Sequence, residues 1–343
     1  MPILDQLAPG STGRGLLTPD LGHPVEIPCL AVRGARPGPT LLVTAGIHGA
    51  EYASIEAAYR AARTEASALA GSLVVLPIAC PPSFFARTIY VNPVDGANPN
   101  RVFPGRPDGA FADRLADWLT TTFIHHADAY LDLHGGDMIE ALTPFSIHDV
   151  GDEASRRLAD AFGLPLRVAD DLKGTTITSA GREGVPSVIA EAGGQGLWPE
   201  DAVQLLVEGV QRSMQHLGML AGRPTPRDVR QLTTFAWIRS EHAGLWRPAV
   251  SGGDQVVAGQ EVGVVSDLLD VPLRRVVSPI DGVVLFAVSA LAMNDGDPLV
   301  GIGADSTSRP LRGSPSEQVP STIRLVSCPP SAATSGNSGS RVA

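Results

Sequence analysis

The feature that most constrains the fold is an alternation, between residues 24 and 222, of short apolar runs with longer amphipathic ones. Residues 41–47, 72–78, 130–133 and 187–190 carry β-branched or leucine residues and are short enough to be buried strands. Residues 50–69, 110–124, 153–162 and 199–220 read as helices. Ile55, Ala58, Ala62 and Leu69 are among the apolar positions of the first, and Leu115, Trp118 and Leu119 share a face of the second. Strands interleaved with helices predict an α/β domain, a mixed, largely parallel sheet between helix layers.

Two of these strands break at their C-terminal ends into polar groups, in Thr44-Ala45-Gly46-Ile47-His48-Gly49-Ala50-Glu51 and in Leu131-Asp132-Leu133-His134-Gly135-Gly136. Two imidazoles and one carboxylate make a three-ligand zinc set that leaves a fourth position for water, whereas a structural zinc site is closed and usually built with cysteine. A lone His-x-x-Glu carries little information, and a single strand-end histidine is more often a satisfied structural residue. The repeated context decides the matter: strand, ligand-type side chain and glycine recur, and ligands of open α/β sheets bind outside the carboxyl ends of strands. His125 and His126 lack that context and fall where a helix ends, an ordinary place for polar residues. A third strand end, Val188-Ile189-Ala190-Glu191-Ala192-Gly193-Gly194, carries Glu191. Alone it is as readily a solvated residue, but beside an open zinc site it becomes a candidate general base.

Residues 81–109 have no sustained period and are rich in Pro, Asn, Gly and Arg. A loop of that length inside a compact domain is usually functional, and this one lies between the two metal-ligand segments. It carries Arg87 and then Asn92-Pro93-Val94-Asp95-Gly96-Ala97-Asn98-Pro99-Asn100-Arg101-Val102-Phe103-Pro104-Gly105. Most loop arginines are solvated surface. Here the asparagines and glycines would fix a tight loop, and a planar guanidinium beside an amide suits bidentate capture of a carboxylate.

Composition narrows the class of partner. With 43% hydrophobic and 18% charged residues the 343-residue chain is an ordinary globular protein of two domains or one large one. A net charge of −10 without a basic cluster argues against nucleic acid or an anionic membrane. No apolar run approaches the roughly 18 residues of a membrane span. The start, Met1-Pro2-Ile3-Leu4-Asp5-Gln6, shows no secretion signal. Cys29, Cys80 and Cys328 are too scattered for a disulfide framework or a cysteine zinc site, so a reducing cytoplasm is the expected compartment.

Residues 222–226 read as a linker between a domain at 1–222 and a small β domain at 223–304, where short strands are punctuated by glycine turns. Gly253-Asp254-Gln255-Val256, Gly259-Gln260 and Ser278-Pro279-Ile280-Asp281-Gly282 resemble a biotinyl/lipoyl-type barrel. Such a carrier needs a hairpin lysine. The chain has one lysine, Lys173, against 25 arginines, and it lies outside the barrel. The barrel is therefore expected to do something else, such as shaping an active-site rim. Residues 305–343 are Ser-, Pro-, Gly- and Arg-rich and are expected to form a disordered tail.

Taken together, His48-x-x-Glu51, Asn100-Arg101-x-Phe103-Pro104-Gly105, Asp132-x-His134-Gly135 and Glu191-x-Gly193-Gly194 resemble the succinylglutamate desuccinylase/aspartoacylase family of the zinc carboxypeptidase clan, over roughly residues 24–304. The 82 residues between Glu51 and His134 are fewer than digestive carboxypeptidases have, which favours the deacylase branch. The resemblance implies a zinc carboxypeptidase-like sheet with the β domain capping the cleft, and one Zn2+ per chain held by His48, Glu51 and His134. It also implies that Glu191 takes a proton from the attacking water and passes it to the leaving amine. Arg87 would polarise the scissile carbonyl, Asn100 and Arg101 would grip a substrate carboxylate, and Arg182, the nearest arginine before Glu191, would add a further substrate contact.

The implied activity is removal of an acyl group from an N-acyl amino acid or related small amide. A metallocarboxypeptidase acting on a peptide or dipeptide-like amide would use the same residues. A metal-free binding protein on the same fold is opposed by the intact ligands and base. Residues 138–149, read as a loop, and the barrel rim are expected to line the specificity pocket, without naming the acyl group or the amine. A homo-oligomer is compatible with this reading.

Overall fold

Ten strands precede the barrel in the computed structural model, which describes residues 1–171 and 173–305. They are β1 (Ser11–Leu17), β2 (Ile27–Arg33), β3 (Arg36–Ala45), β4 (Ala70–Leu76), β5 (Ala129–His134), β6 (Glu140–Leu142), β7 (Phe145–Asp149), β8 (Leu166–Asp170), β9 (Ser187–Glu191) and β10 (Arg230–Leu232). All but β6 form one sheet, in the order β1-β2-β4-β3-β5-β9-β7-β8-β10. Pairing is antiparallel at β1–β2, β2–β4 and β9–β7 and parallel elsewhere, so the sheet is mixed and largely parallel.

The helices are α1 (Pro2–Asp5), α2 (Tyr52–Ala61), α3 (Pro81–Ala86), α4 (Phe111–Thr122), α5 (Glu153–Phe162), α6 (Thr176–Arg182) and α7 (Glu200–His216). Strand side chains alternate between faces. Leu41, Val43, Leu131 and Leu133 pack under α2, α5 and α7, while Leu42, Val74, Leu76 and Tyr130 meet α4 on the other face. The central strands are therefore buried on both sides, which is why they read as continuous apolar runs.

Three expected elements are cut differently. The helix expected at 50–69 is Tyr52–Ala61: Glu51 is its N-cap with a non-helical ψ of 69°, and Arg63 and Thr64 close tight bonds to Arg60 and Ala61 carbonyls that end it. The helix expected at 199–220 ends at His216, and Gly218 turns the chain with φ +73°. Residues 138–149 are not a loop but contain β6 and β7.

The C-terminal strands are β11 (Thr234–Arg239), β12 (Gly244–Pro248), β13 (Gln255–Val256), β14 (Glu261–Ser266), β15 (Pro272–Val277), β16 (Gly282–Val288), β17 (Ala292–Met293) and β18 (Pro298–Ala304). One sheet runs β11-β18-β16-β13 and another β15-β14-β12-β17, closing over a core that includes Trp246, Val265, Phe286 and Ile302. The boundary expected at 222/223 is crossed in both directions. β10, after the linker, returns to the main sheet beside β8, and β6 pairs antiparallel with β16, Leu142 opposite Phe286. The barrel is thereby stitched to the edge of the cleft by backbone hydrogen bonds. Of the tail expected from 305, Asp305 is described and pairs with Arg230 at 2.8 Å; residues 306–343 lie outside the described residues.

Candidate active site

The register of three parallel strands gathers the site. Ala45 lies opposite Leu133, and His134 lies opposite Glu191. After β3, Gly46 turns the chain at φ +63° and delivers His48 and Glu51 to the same sheet edge just before α2. Close packing there demands glycine: a Cβ on Gly49 would lie 2.0 Å from the Phe84 nitrogen, and one on Gly135 would lie 2.4 Å from the Ala192 carbonyl oxygen.

His48, Glu51 and His134 are all buried, and their potential ligand atoms lie within 4.8 Å of one another. His48 Nδ1 is 2.8 Å from Glu51 Oε1, and His134 Nδ1 is 3.0 Å from Glu51 Oε2. The distal nitrogens meet other oxygens: His48 Nε2 is 3.1 Å from Asn98 Oδ1, and His134 Nε2 is 2.9 Å from Asp132 Oδ2. Asn100 Nδ2 lies farther from that nitrogen, at 3.4 Å. Asp132 is itself fixed by the hydroxyls of Thr44 and Thr176, which donate at 2.5 and 2.6 Å.

This arrangement supplies a test for a metal. If each ring donates its Nε2–H outward, both Nδ1 lone pairs point at the Glu51 carboxylate. Lone pairs facing a carboxylate at hydrogen-bond distance repel unless a proton or a cation lies between them. The donor set, two imidazoles and a carboxylate with a carboxylate behind one ring, suits a divalent metal of zinc type. Without a cation a proton fills the gap, and the acidities show how strongly the site favours positive charge there. Burial would raise Glu51, but His134 and His48 overcome it and hold it at about 2. Burial likewise opposes charge on His134, yet Asp132 and Glu51 hold that imidazolium well above its usual range.

Glu191 lines the cleft. Burial pushes its carboxyl well above the usual range; His134 opposes this, and the Glu51, Glu140 and Asp132 charges add to it. Arg101 is exposed to the cavity but surrounded by protein. Burial therefore lowers its pKa, while Glu191, Tyr90 and Glu51 counter the effect. Its Nη1 donates to the Asn100 carbonyl at 2.6 Å.

The loop bearing it is tied internally. Asn92 Oδ1 accepts from the Val94 and Asp95 amides, Asp95 Oδ2 accepts from the Ala112 amide at the start of α4, and Asn100 Oδ1 accepts from the Thr176 amide.

These groups face a cavity of about 120 Å³. An ordered water needs about 10–15 Å³ on the same measure, so the space suits a small amino-acid derivative. His48, Glu51, His134, Asn100, Arg101 and Glu191 all line it. Arg87 and Arg182 do not. Arg87 caps the end of α3 in a left-handed conformation and is exposed, and Arg182 is the exposed last residue of α6.

Sequence reasoning passed over Tyr90 and Glu140, which line the cavity and hydrogen-bond to each other, the phenol donating to Glu140 Oε1. Only the positive φ of Tyr90, 57°, marks it locally, and a sequence does not display that. The barrel contributes Phe235, Trp237 and Phe286 to the wall, and the sheet contributes Phe145, Ile147 and Ile189.

A largely parallel sheet whose strand ends gather an open His-Glu-His set beside a third strand-end carboxyl group suits a hydrolase centre. Residues 37–217 match the model of the succinylglutamate desuccinylase/aspartoacylase catalytic domain. N-alpha-acetyl-L-2,4-diaminobutyric acid deacetylase of Halomonas elongata is 31% identical over 293 residues, covering 80% of this chain and 84% of that one. The chain belongs to the succinylglutamate desuccinylase/aspartoacylase family.

Solved structures agree over nearly the whole described length. A succinylglutamate desuccinylase/aspartoacylase from Rhodobacter sphaeroides superposes with a TM-score of 0.76 at 28% identity, covering 86% of this chain and 96% of that one. The product-bound ectoine utilization protein EutE (DoeB) from Ruegeria pomeroyi gives 0.78 at 26% identity, covering 87% and 98%. Among the described residues no helix is long and apolar enough to cross a membrane.

Proposed function

We propose that this chain is a zinc-dependent amidohydrolase that removes the acyl group from an N-acyl amino acid. One observation carries the reading: both Nδ1 atoms converge on Glu51 while Glu191 stands opposite His134 on the next strand. The relative from Halomonas elongata, named for deacetylating an N-acetyl diamino acid, supports the same substrate class.

His48, Glu51 and His134 would hold the ion. A bound zinc supplies a Lewis acid that acidifies water and polarises a carbonyl. Glu191, desolvated and facing the cleft, takes a proton from the attacking water and returns it to the departing amine. Arg101 and Asn100 grip and orient the substrate carboxylate, so that binding geometry rather than a collision sets the reactive distance. Arg87 is exposed and does not line the cavity, so no role at the scissile carbonyl is assigned to it; Arg101 is the arginine that lines the cavity. Arg182 does not line the cavity either and is given no substrate contact.

The test pairs metal analysis with a substrate screen. Purified protein should carry about one zinc per chain. N-acetyl, N-succinyl and N-formyl amino acids should release amine, with dipeptides as the carboxypeptidase arm. His134→Ala should lose both zinc and turnover while its circular dichroism stays native, because the buried sheet does not depend on the ion. Stoichiometric zinc in that variant would contradict the ligand assignment, and faster cleavage of dipeptides than of any acyl amino acid would favour the carboxypeptidase reading.

A further inference from the structure

Charges in the cavity are unevenly matched. Glu51 lies between two imidazoles, Asp132 is held by His134 and two threonine hydroxyls, and Glu191 is near both His134 and Arg101. Glu140 has no such partner. It is 7% exposed and lines the cavity, and its carboxylate accepts from the Tyr90 phenol and from the Asp137 backbone. The charges that act on it include those of Asp137 and Glu51, and Glu191 is a further anionic neighbour. No lysine, arginine or histidine among the described residues pairs with it.

A carboxylate has about four acceptor positions, and these two neutral donors leave the others open. An unpaired buried carboxylate is unfavourable, yet the fold holds this one firmly. β6 is pinned by β16, with Glu140 opposite Val288. Tyr90 adopts φ 57°, a conformation uncommon for an aromatic residue, and its amide is tied to Asp137 Oδ2 at 2.9 Å. The tyrosine ring thus stands between His48, edge-on at 6.1 Å, and the Glu140 carboxylate. Strain of this kind persists where surrounding structure enforces it, commonly at ligand sites.

We infer that Glu140, oriented by Tyr90, is the specificity-determining acceptor for a cationic group on the substrate, so that the preferred substrates are N-acyl amino acids with an ammonium-bearing side chain. The inference rests on the deacylase reading. Arg101 takes the substrate carboxylate and Glu140 its ammonium, two opposite charges on the amino-acid side of the amide that together fix its orientation. An ammonium there completes the hydrogen bonding of Glu140 and offsets the repulsion from Asp137.

The experiment compares charged substrates with neutral isosteres. Nα-acetyl-2,4-diaminobutyrate is set against N-acetylnorvaline, and Nα-acetylornithine against N-acetylnorleucine, in the wild type and in Glu140→Gln. One charge-assisted hydrogen bond predicts a wild-type kcat/KM ratio of about 10- to 100-fold in favour of the cation, for at least one pair. Glu140→Gln should bring that ratio to within about threefold of unity, chiefly through KM.

A wild-type ratio near one for both pairs, or a ratio that Glu140→Gln leaves intact, would overturn the inference. Hydrolysis of no acyl amino acid would count against the deacylase reading instead. In that case calorimetry with free 2,4-diaminobutyrate and norvaline decides the subsite: tighter binding of the diamine, lost in Glu140→Gln, supports it, and equal binding of the two overturns it.

Discussion

His134 and Glu191 are register partners across two parallel strands, the first a metal-ligand candidate and the second a desolvated carboxylic acid. Backbone hydrogen bonds fix their spacing, so neither depends on a mobile loop for position. The sheet supplies the rigid part of the site, and the loop from Asn92 to Gly105 and the barrel supply the walls.

Asp132 orients His134 from behind. Asp132→Asn should therefore weaken zinc binding by about 10- to 100-fold, the usual cost of losing a carboxylate behind a metal-bound histidine. Competition with a chromogenic chelator measures this. Because Asp132 also accepts from Thr44 and Thr176, the variant should lose some thermal stability as well. Unchanged zinc affinity would show that the Asp132–His134 contact serves packing alone.

Arg101→Ala removes the proposed carboxylate grip but neither a proposed metal ligand nor the proposed base. Its signature should be a KM raised by roughly 10-fold or more, from loss of a charge-assisted contact. Turnover should fall only to the extent that the grip also orients the amide. Steady-state kinetics on one N-acyl amino acid separates the two, and an unaltered KM would remove Arg101 from the binding site.

Burial pushes Glu140 up to about 7, with the Asp137 and Glu51 charges adding and the Tyr90 hydrogen bond opposing. An acid whose pKa is raised in the folded state holds its proton there after the unfolded chain has released it. Its presence therefore costs stability progressively as pH rises from about 4.5 to about 7. Glu140→Gln has no proton to lose. Relative to wild type it should gain stability across that window, by up to about 3 kcal/mol, and the gain should level off above it. Urea unfolding at pH 4.5 and pH 8, with both proteins zinc-loaded, checks the sign. Parallel pH profiles would mean that Glu140 is not desolvated as described.

Much of this was legible because its causes are local. His48, Glu51, His134 and Glu191 each follow a short apolar strand and precede or adjoin glycine, so the alternation of burial and turn chemistry marks them in the chain itself. The same pattern yields the parallel centre of the sheet. The knot of asparagines from Asn92 to Asn100 announces a loop held by its own side chains, and the hydrogen bonds there are of that kind.

What was missed depends on distant pairing. Glu140 belongs to a three-residue strand whose existence requires β16, far later in the chain and in the barrel, where Val288 stands opposite Glu140. Without that partner, residues 138–149 show only mixed polarity. Tyr90 is unremarkable in sequence because what singles it out is a backbone angle and a contact with Glu140. β1 and β2, which add antiparallel strands to the sheet edge, also escaped notice; β1 is largely exposed and has no apolar period. Arg87 and Arg182 were brought forward by resemblance, and the chain turns both toward the surface.

The most direct test of the central claim is the turnover of Glu191→Gln measured together with its zinc content. Glutamine keeps the shape and hydrogen-bonding capacity of Glu191 but cannot accept the proton. Loss of a general base predicts a fall in kcat of roughly a hundred- to ten-thousandfold, with zinc near wild-type occupancy and KM little changed, since the proposed substrate grip of Arg101 and Asn100 is untouched. Near-normal turnover would contradict the mechanism, and loss of zinc would make Glu191 a ligand rather than the base.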